Sequence, residues 1–234
     1  MENNWKNKGQ QWVYEAINPF IKLLIKLGIT PNFITFMGLV INILATIIFI
    51  TGVEKGSRGD HRYIGWASAT ILLGGLMDMI DGRLARVGKQ ESRYGAIFDS
   101  VLDRYSEMIM FLGICYYLIG YSYFLSSLFA FVGMIGSIMV SYTRARAEGM
   151  GLKMADVGLM QRPERILLIG ISGLACGLTS HFIGSDFKVT VAWLPFPLFE
   201  TITIFTFPIF ILSILTNITA INRLQAAKKM LETP

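Results

Sequence analysis

NFITFMGLVINILATIIFITGV, residues 32–53, runs for 22 positions without a charged side chain. At about 1.5 Å per residue a helix of that length covers the roughly 30 Å hydrocarbon core of a bilayer. The stretch reads as a transmembrane helix, and five more follow at about 63–86, 95–119, 123–146, 163–183 and 196–222. Composition agrees: 53% of the 234 residues are hydrophobic and 16% charged, with a mean hydropathy of +0.52, where a soluble domain carries about 25% charged residues. The fold expected is all-α and integral to the membrane, with six transmembrane helices and no room for a large soluble appendage. Cys115 and Cys176 lie far apart in apolar runs, which argues against a disulfide framework or a zinc site. The two histidines, His61 and His181, stand beside span ends, so any chemistry falls to carboxylates and arginines.

Residues 1–30 differ from the rest. Over residues 12–27, lysines alternate with apolar residues at helical spacing, which predicts an N-terminal interfacial amphipathic helix, a soluble-style surface helix being the alternative. The polar start argues against a cleavable signal peptide. Of the 21 lysines and arginines, 17 fall in the N-terminus, residues 83–104, residues 144–165 and the C-terminus. Only Lys55, Arg58, Arg62 and Lys188 fall on the other side. The positive-inside rule therefore puts both termini and those two segments in the cytoplasm, as an even number of spans requires. The net charge of +5 is a one-sided membrane-surface feature, and no nucleic-acid partner is expected, since no aromatic-rich basic module accompanies it. The organisation expected is an amphipathic juxtamembrane segment (1–30), a six-helix domain (31–225) and a cytoplasmic tail (226–234).

Acids inside a span are costly and usually functional. Four occur close together: Asp78 and Asp81 on the second span, Asp99 and Asp103 on the third. At about 100° per residue the first pair is roughly 60° apart and the second roughly 40°, so each pair shares a helix face. The polar turn at Gly88 to Arg93 folds the two helices antiparallel and gathers the four carboxylates near the cytoplasmic end. So many anions repel unless a counter-charge is present, and oxygen-only ligands favour a hard cation such as magnesium, one ion or two. Structural ion pairing with Arg83, Arg86, Arg93 and Arg104 is the alternative. Gly82 and Ala85 beside the acids, and Gly95 on the facing helix, lack the side chains that would keep a flat ligand from the backbone.

The run Asp78-x-x-Asp81-Gly82-x-x-Ala85-Arg86, followed after eight residues by Gly95-x-x-x-Asp99-x-x-x-Asp103, resembles the signature of the CDP-alcohol phosphotransferase family at every position. Members move a substituted phosphate from a cytidine diphosphate alcohol to a hydroxyl acceptor and release CMP. The resemblance implies that Asp78, Asp81, Asp99 and Asp103 hold magnesium, or manganese in its place, with two ions expected, and that Asp103 is the general base. It also implies that Gly82, Ala85 and Gly95 make room for the cytidine, that Arg86 neutralises the diphosphate, and that Pro31 and Asn32 border the nucleotide. Pro31 read by itself is equally a helix start, with proline at the first helical position. The implied donor is a CDP-diacylglycerol-type lipid, ester or ether.

Ser141 to Glu148, with Gln161 to Arg165, looks like the subgroup making phosphatidylinositol phosphate or its archaeal ether-lipid counterpart. In that subgroup a basic pocket holds the phosphate of inositol 1-phosphate. Arg144 and Arg165 match two of its members and Arg223 is the expected third, with Arg144 standing where the subgroup often has lysine. Glycerol 3-phosphate, free inositol or an amino alcohol are the alternative acceptors. Members are commonly dimeric, so a homodimer is implied. An intramembrane prenyltransferase would need more spans and aspartate motifs on two separated helices. A cation transporter would spread its acids toward mid-span and show matched halves.

Overall fold

The computed structural model of the chain describes residues 17–154, 157–184, 187–190, 193 and 199–232. Six long helices carry the fold: α1 (Pro31–Lys55), α2 (Arg62–Val87), α3 (Arg93–Gly120), α4 (Phe124–Glu148), α5 (Arg162–Phe182) and α6 (Thr203–Glu232). Residues 17–26 are helical as well. Between α5 and α6 a short antiparallel ladder pairs β1 (Lys188–Val189) with β2 (Phe199–Glu200). The last span was expected to begin at residue 196, but the helix starts at Thr203 because Phe199 and Glu200 pair as a strand. It also continues past residue 222, where Gln225, the two alanines and Lys228 favour helix although their hydropathy has fallen, and Lys228 pairs with Glu232 one turn on at 3.7 Å.

Contacts divide the chain into two compact units, Met1–Ile41 with Leu73–Ser106 and Asn42–Leu72 with Glu107–Pro234. In the first unit, Ile21 and Leu24 from the helical segment 17–26 pack with Ile34 of α1 and with Ile80 and Leu84 of α2. On the same segment Phe20, Leu23 and Leu27 form a second, exposed stripe beside the exposed Lys22 and Lys26. The segment thus carries one apolar stripe packed on protein and a second among exposed cations. Residues 1–16, which complete the amphipathic segment expected from sequence, lie outside the described residues. The segment stops at Gly28, whose φ of +71° suits glycine. Ile29 N–H donates to the Leu24 carbonyl and Gly28 N–H to that of Ile25, the paired bonds of a Schellman cap. Pro31 then opens α1, where its missing N–H costs nothing.

The second unit has its core among Phe49, Ile64, Phe111, Tyr117, Ile169, Phe205 and their neighbours. There α2 and α5 cross backbone to backbone: a Cβ on Gly177 would stand 2.4 Å from the Cα of Gly65. Small residues at such crossings let helices approach closely where lipid supplies no hydrophobic drive.

Among the described residues five helices, α1, α2, α4, α5 and α6, are long and apolar enough to cross a membrane. Helix α3 is the sixth helix expected, but it carries Asp99, Asp103 and Arg104 within its first half and Glu107 just beyond. Its exposed face is nonetheless apolar along the whole length: Tyr94, Ile97, Val101, Tyr105, Met108, Leu112, Tyr116 and Ile119, each three or four residues after the last. The helix is therefore two-faced, and averaging over it hides the apolar stripe.

Candidate active site

Within the first unit, the start of α1, the end of α2 and the start of α3 enclose a cleft of about 260 Å³. Its lining comprises Pro31, Asn32 and Thr35 from α1, Asp81, Gly82, Ala85 and Arg86 from α2, Gln90, Glu91 and Ser92 from the turn, and Gly95, Ala96 and Asp99 from α3. The turn is short because both helix ends are capped inside it. Gln90 N–H donates to the Ala85 carbonyl at 2.9 Å, with Lys89 in the left-handed region at φ +53°. Ser92 Oγ then accepts from Gly95 N–H at 2.9 Å and starts α3 as its N-cap.

All six residues that the sequence assigned to nucleotide and diphosphate, Pro31, Asn32, Gly82, Ala85, Arg86 and Gly95, line this one cleft. The glycines differ in what they leave open. A Cβ at Gly82 would meet only Arg86 Nη2, at 3.8 Å, whereas one at Gly95 would stand 2.9 Å from Ser92 Oγ and 3.3 Å from Asn32 Oδ1. Gly82 thus leaves cleft space, while the room at Gly95 is taken by the side chains that cap and border the site.

Of the acids, Asp81 and Asp99 line the cleft, and Asp78 and Asp103 are not in its lining. Asp81 is buried, and its Oδ2 accepts a hydrogen bond from Thr35 Oγ1 at 2.7 Å. Asp78 and Asp99 lie within electrostatic reach of Asp81. Asp78 Oδ1 also packs against Gly38, where a Cβ would touch it at 3.5 Å. Asp78, Asp99 and Asp103 are half-buried and have interactions of their own. Among the described residues no three acid, histidine or cysteine side chains converge into a ready-made coordination shell. The donors gathered here are carboxylate and hydroxyl oxygens, which fit a hard divalent cation in kind. Of the arginines, Arg83 donates through Nε and Nη2 to Asn18 Oδ1, at 3.2 and 3.1 Å, and Arg104 donates through Nη1 to the Ser100 carbonyl.

Sequence reasoning missed Thr35, Gln90, Glu91 and Ser92. In an apolar span a lone threonine ordinarily bonds the carbonyl one turn back, and Thr35 Oγ1 does lie 3.1 Å from the Pro31 carbonyl. Its second partner, 46 residues away, leaves no trace in local pattern.

The three arginines assigned to the acceptor lie in the second unit. Arg165, 1% exposed, donates through Nε and Nη2 to the two carboxylate oxygens of Glu107, at 2.6 and 3.0 Å, and through Nη1 to the Met160 carbonyl at 2.9 Å. Arg223 is also buried and donates to the carbonyls of Val157 and Val140, both at 2.7 Å. Arg144 is partly exposed and pairs with Glu148 at 2.9 Å. Both Arg144 and Arg165 lie within electrostatic reach of Arg223, so the three cations gather in one region of this unit. Glu107 was not singled out by sequence, since an acid on the face of α3 already bearing two others carries no mark of its partner.

The sequence model of the CDP-alcohol phosphatidyltransferase family matches residues 28–224. The archaetidylinositol phosphate synthase of Pyrococcus horikoshii is 32% identical over 179 residues, 75% of this chain and 84% of that protein. The phosphatidylinositol phosphate synthase of Mycobacteroides abscessus is 31% identical over 154 residues, and the match spans 65% of each chain. The fold is similar to the crystal structure of Mycobacterium tuberculosis phosphatidylinositol phosphate synthase with CDP-DAG bound, at 22% identity and a TM-score of 0.68, covering 89% of this chain and 92% of that one. A second structure of that mycobacterial protein, in complex with manganese and citrate, aligns with a TM-score of 0.66 at the same identity and covers 90% of this chain and 88% of that one.

Proposed function

The chain belongs to the CDP-alcohol phosphatidyltransferase family, and on that premise we propose that it transfers the phosphatidyl group of a CDP-diacylglycerol-type lipid to a hydroxyl of inositol 1-phosphate, giving phosphatidylinositol phosphate and CMP. The observation that carries this reading is the cleft, where Gly82, Ala85, Arg86 and Gly95 of the signature, with Pro31 and Asn32 from the turn before the first span, stand together with Asp81 and Asp99. The relatives named for phosphatidylinositol phosphate and archaetidylinositol phosphate synthesis support the acceptor class. Family membership gives no support to the prenyltransferase or transporter readings.

In this reading the cytidine enters beside Gly82 and Ala85, with Pro31, Asn32 and Gly95 along its border. Arg86, exposed at the cleft, offsets the diphosphate charge with a fork of N–H donors. Asp103 takes the proton of the acceptor hydroxyl as its oxygen bonds to the lipid-bearing phosphorus, and the bond from that phosphorus to the CMP oxygen breaks. Asp78, Asp81, Asp99 and Asp103 would hold magnesium or manganese, two ions in all, which lowers the charge cost at the phosphorus and the leaving oxygen. Thr35 fixes Oδ2 of Asp81 at the cleft. Arg144, Arg165 and Arg223 bind the acceptor phosphate, for which three neighbouring guanidiniums are suited.

The exposed apolar stripe on α3 supports counting it as a sixth span, its acids turned away from lipid. Six spans and the lysine and arginine bias together support both termini and the cleft on the cytoplasmic face. A homodimer rests on family resemblance. The test of the reaction is CMP release by purified protein with CDP-diacylglycerol and magnesium: inositol 1-phosphate should support it and free inositol should not, and the reverse preference rejects the acceptor.

A further inference from the structure

We infer that Glu107 is a positioning residue for the acceptor: its carboxylate fixes the plane of the Arg165 guanidinium so that the remaining N–H groups of Arg165 meet the acceptor's phosphate. The inference rests on the proposed role of Arg165. A guanidinium has five N–H donors, and three are committed here, two to Glu107 and one to the Met160 carbonyl. The two oxygens of Glu107 grip Nε and Nη2 side-on, which removes rotation about the end of a long side chain. With both residues almost fully buried, at 1% and 4% side-chain exposure, neither can relax into water when the other is changed.

The neighbours make the arrangement more than a neutral buried pair. Arg223 has two backbone carbonyls as its hydrogen-bond partners, and Arg144 shares Glu148 at the surface. These three arginines and two carboxylates together carry one positive charge, and Arg223 lies within electrostatic reach of Arg144, Arg165 and Glu148, so an anionic group is favoured beside them. If Glu107 served only to dilute positive charge, its neutralisation would strengthen anion binding, by Coulomb's law. If it orients Arg165, neutralisation weakens binding because the fork loses its alignment. The two roles predict opposite signs.

The experiment uses full-length protein in lipid nanodiscs, with CMP release followed against inositol 1-phosphate at saturating CDP-diacylglycerol and magnesium. Glu107→Gln should raise the acceptor KM at least tenfold and leave the donor KM within twofold. An acceptor KM that is unchanged or lower overturns the inference. Glu107→Asp, which keeps the charge but shortens the arm, should raise the acceptor KM in the same direction and serves if the glutamine variant does not fold. The exchanged pair Glu107→Arg with Arg165→Glu restores the ion pair from opposite helices. It should recover thermal stability without recovering the acceptor KM, and recovery of both makes the pair merely structural. Wild-type protein that releases CMP with free inositol but not with inositol 1-phosphate removes the acceptor reading itself, and the inference with it.

Discussion

The Thr35 hydroxyl donates a 2.7 Å hydrogen bond to Oδ2 of Asp81, tying the first turns of α1 to a carboxylate that is 5% exposed. A hydrogen bond to a charged acceptor contributes about 1.5–3 kcal/mol, enough to hold that carboxylate in one rotamer. Thr35→Val keeps the shape and deletes the donor. It should raise the magnesium concentration giving half-maximal CMP release and lower the rate by roughly tenfold, the rate equivalent of about 1.4 kcal/mol, while Thr35→Ser stays near wild type. A magnesium titration identical for valine and threonine would show that the bond does not aim Asp81.

Gly82 and Gly95 should respond differently to the same added methyl. At Gly82 the methyl meets open space beside Arg86, and alanine is favoured over glycine within a helix by about 1 kcal/mol, so Gly82→Ala should fold as well as wild type or better. Its methyl narrows the cleft, and the KM for CDP-lipid should rise several-fold. At Gly95 the methyl runs into Ser92 Oγ, the cap of α3, so Gly95→Ala should lower thermal stability by about 0.5–2 kcal/mol. Melting curves and donor KM for the two variants separate these effects, and matching behaviour would contradict both assignments.

That Asp81, Asp99 and the small residues of α2 and α3 share one cleft was legible because their spacing is local: one helix face each, joined by a five-residue turn, places them without knowledge of the rest of the chain, whereas Asp78 and Asp103 of the same pattern are not in the lining. Five of the six expected spans were legible for the same reason, since length and apolarity are properties of a single segment. What escaped was pairing across long separations. Thr35 finds Asp81 over 46 residues and Glu107 finds Arg165 over 58, and a threonine or an acid in isolation does not reveal which distant helix face it will meet. The start of α6 was misjudged because Phe199 and Glu200 are held in a strand by Lys188 and Val189, a pairing that local composition does not mark.

Gly158 offers a stability test near the arginine cluster. Its φ of +108° is a backbone region that favours glycine, and a Cβ there would stand 2.3 Å from Thr219 Cγ2. The preceding carbonyl, Val157 O, accepts from Arg223 Nε, so moving this loop also disturbs a buried cation. Gly158→Ala should cost about 2 kcal/mol or more and lower the melting temperature by several degrees. Adding Thr219→Ser removes the clashing methyl and keeps the hydroxyl bond to Leu215, so the double variant should recover part of the loss. No recovery would assign the cost to the backbone angle alone.

His61, just ahead of α2, should make stability fall in mild acid. The side chain is 2% exposed and its Nδ1 has no hydrogen-bond partner among the described residues. Burial pushes its pKa from an ordinary 6.5 down to about 4, against the opposing pull of Asp60. Asp60 itself is held below the usual carboxylate range by Arg62, so it stays ionised as His61 titrates. Between pH 6.5 and 4 the unfolded chain takes up a proton that the folded chain refuses, so stability is full above that window and declines through it, by on the order of 2–3 kcal/mol at the acid end. His61→Gln removes the titrating group. The melting temperature of the wild type should therefore drop between pH 7 and pH 5 by more than that of the variant, measured in the same detergent. Parallel pH profiles would mean that the imidazole is reached by water in the folded protein.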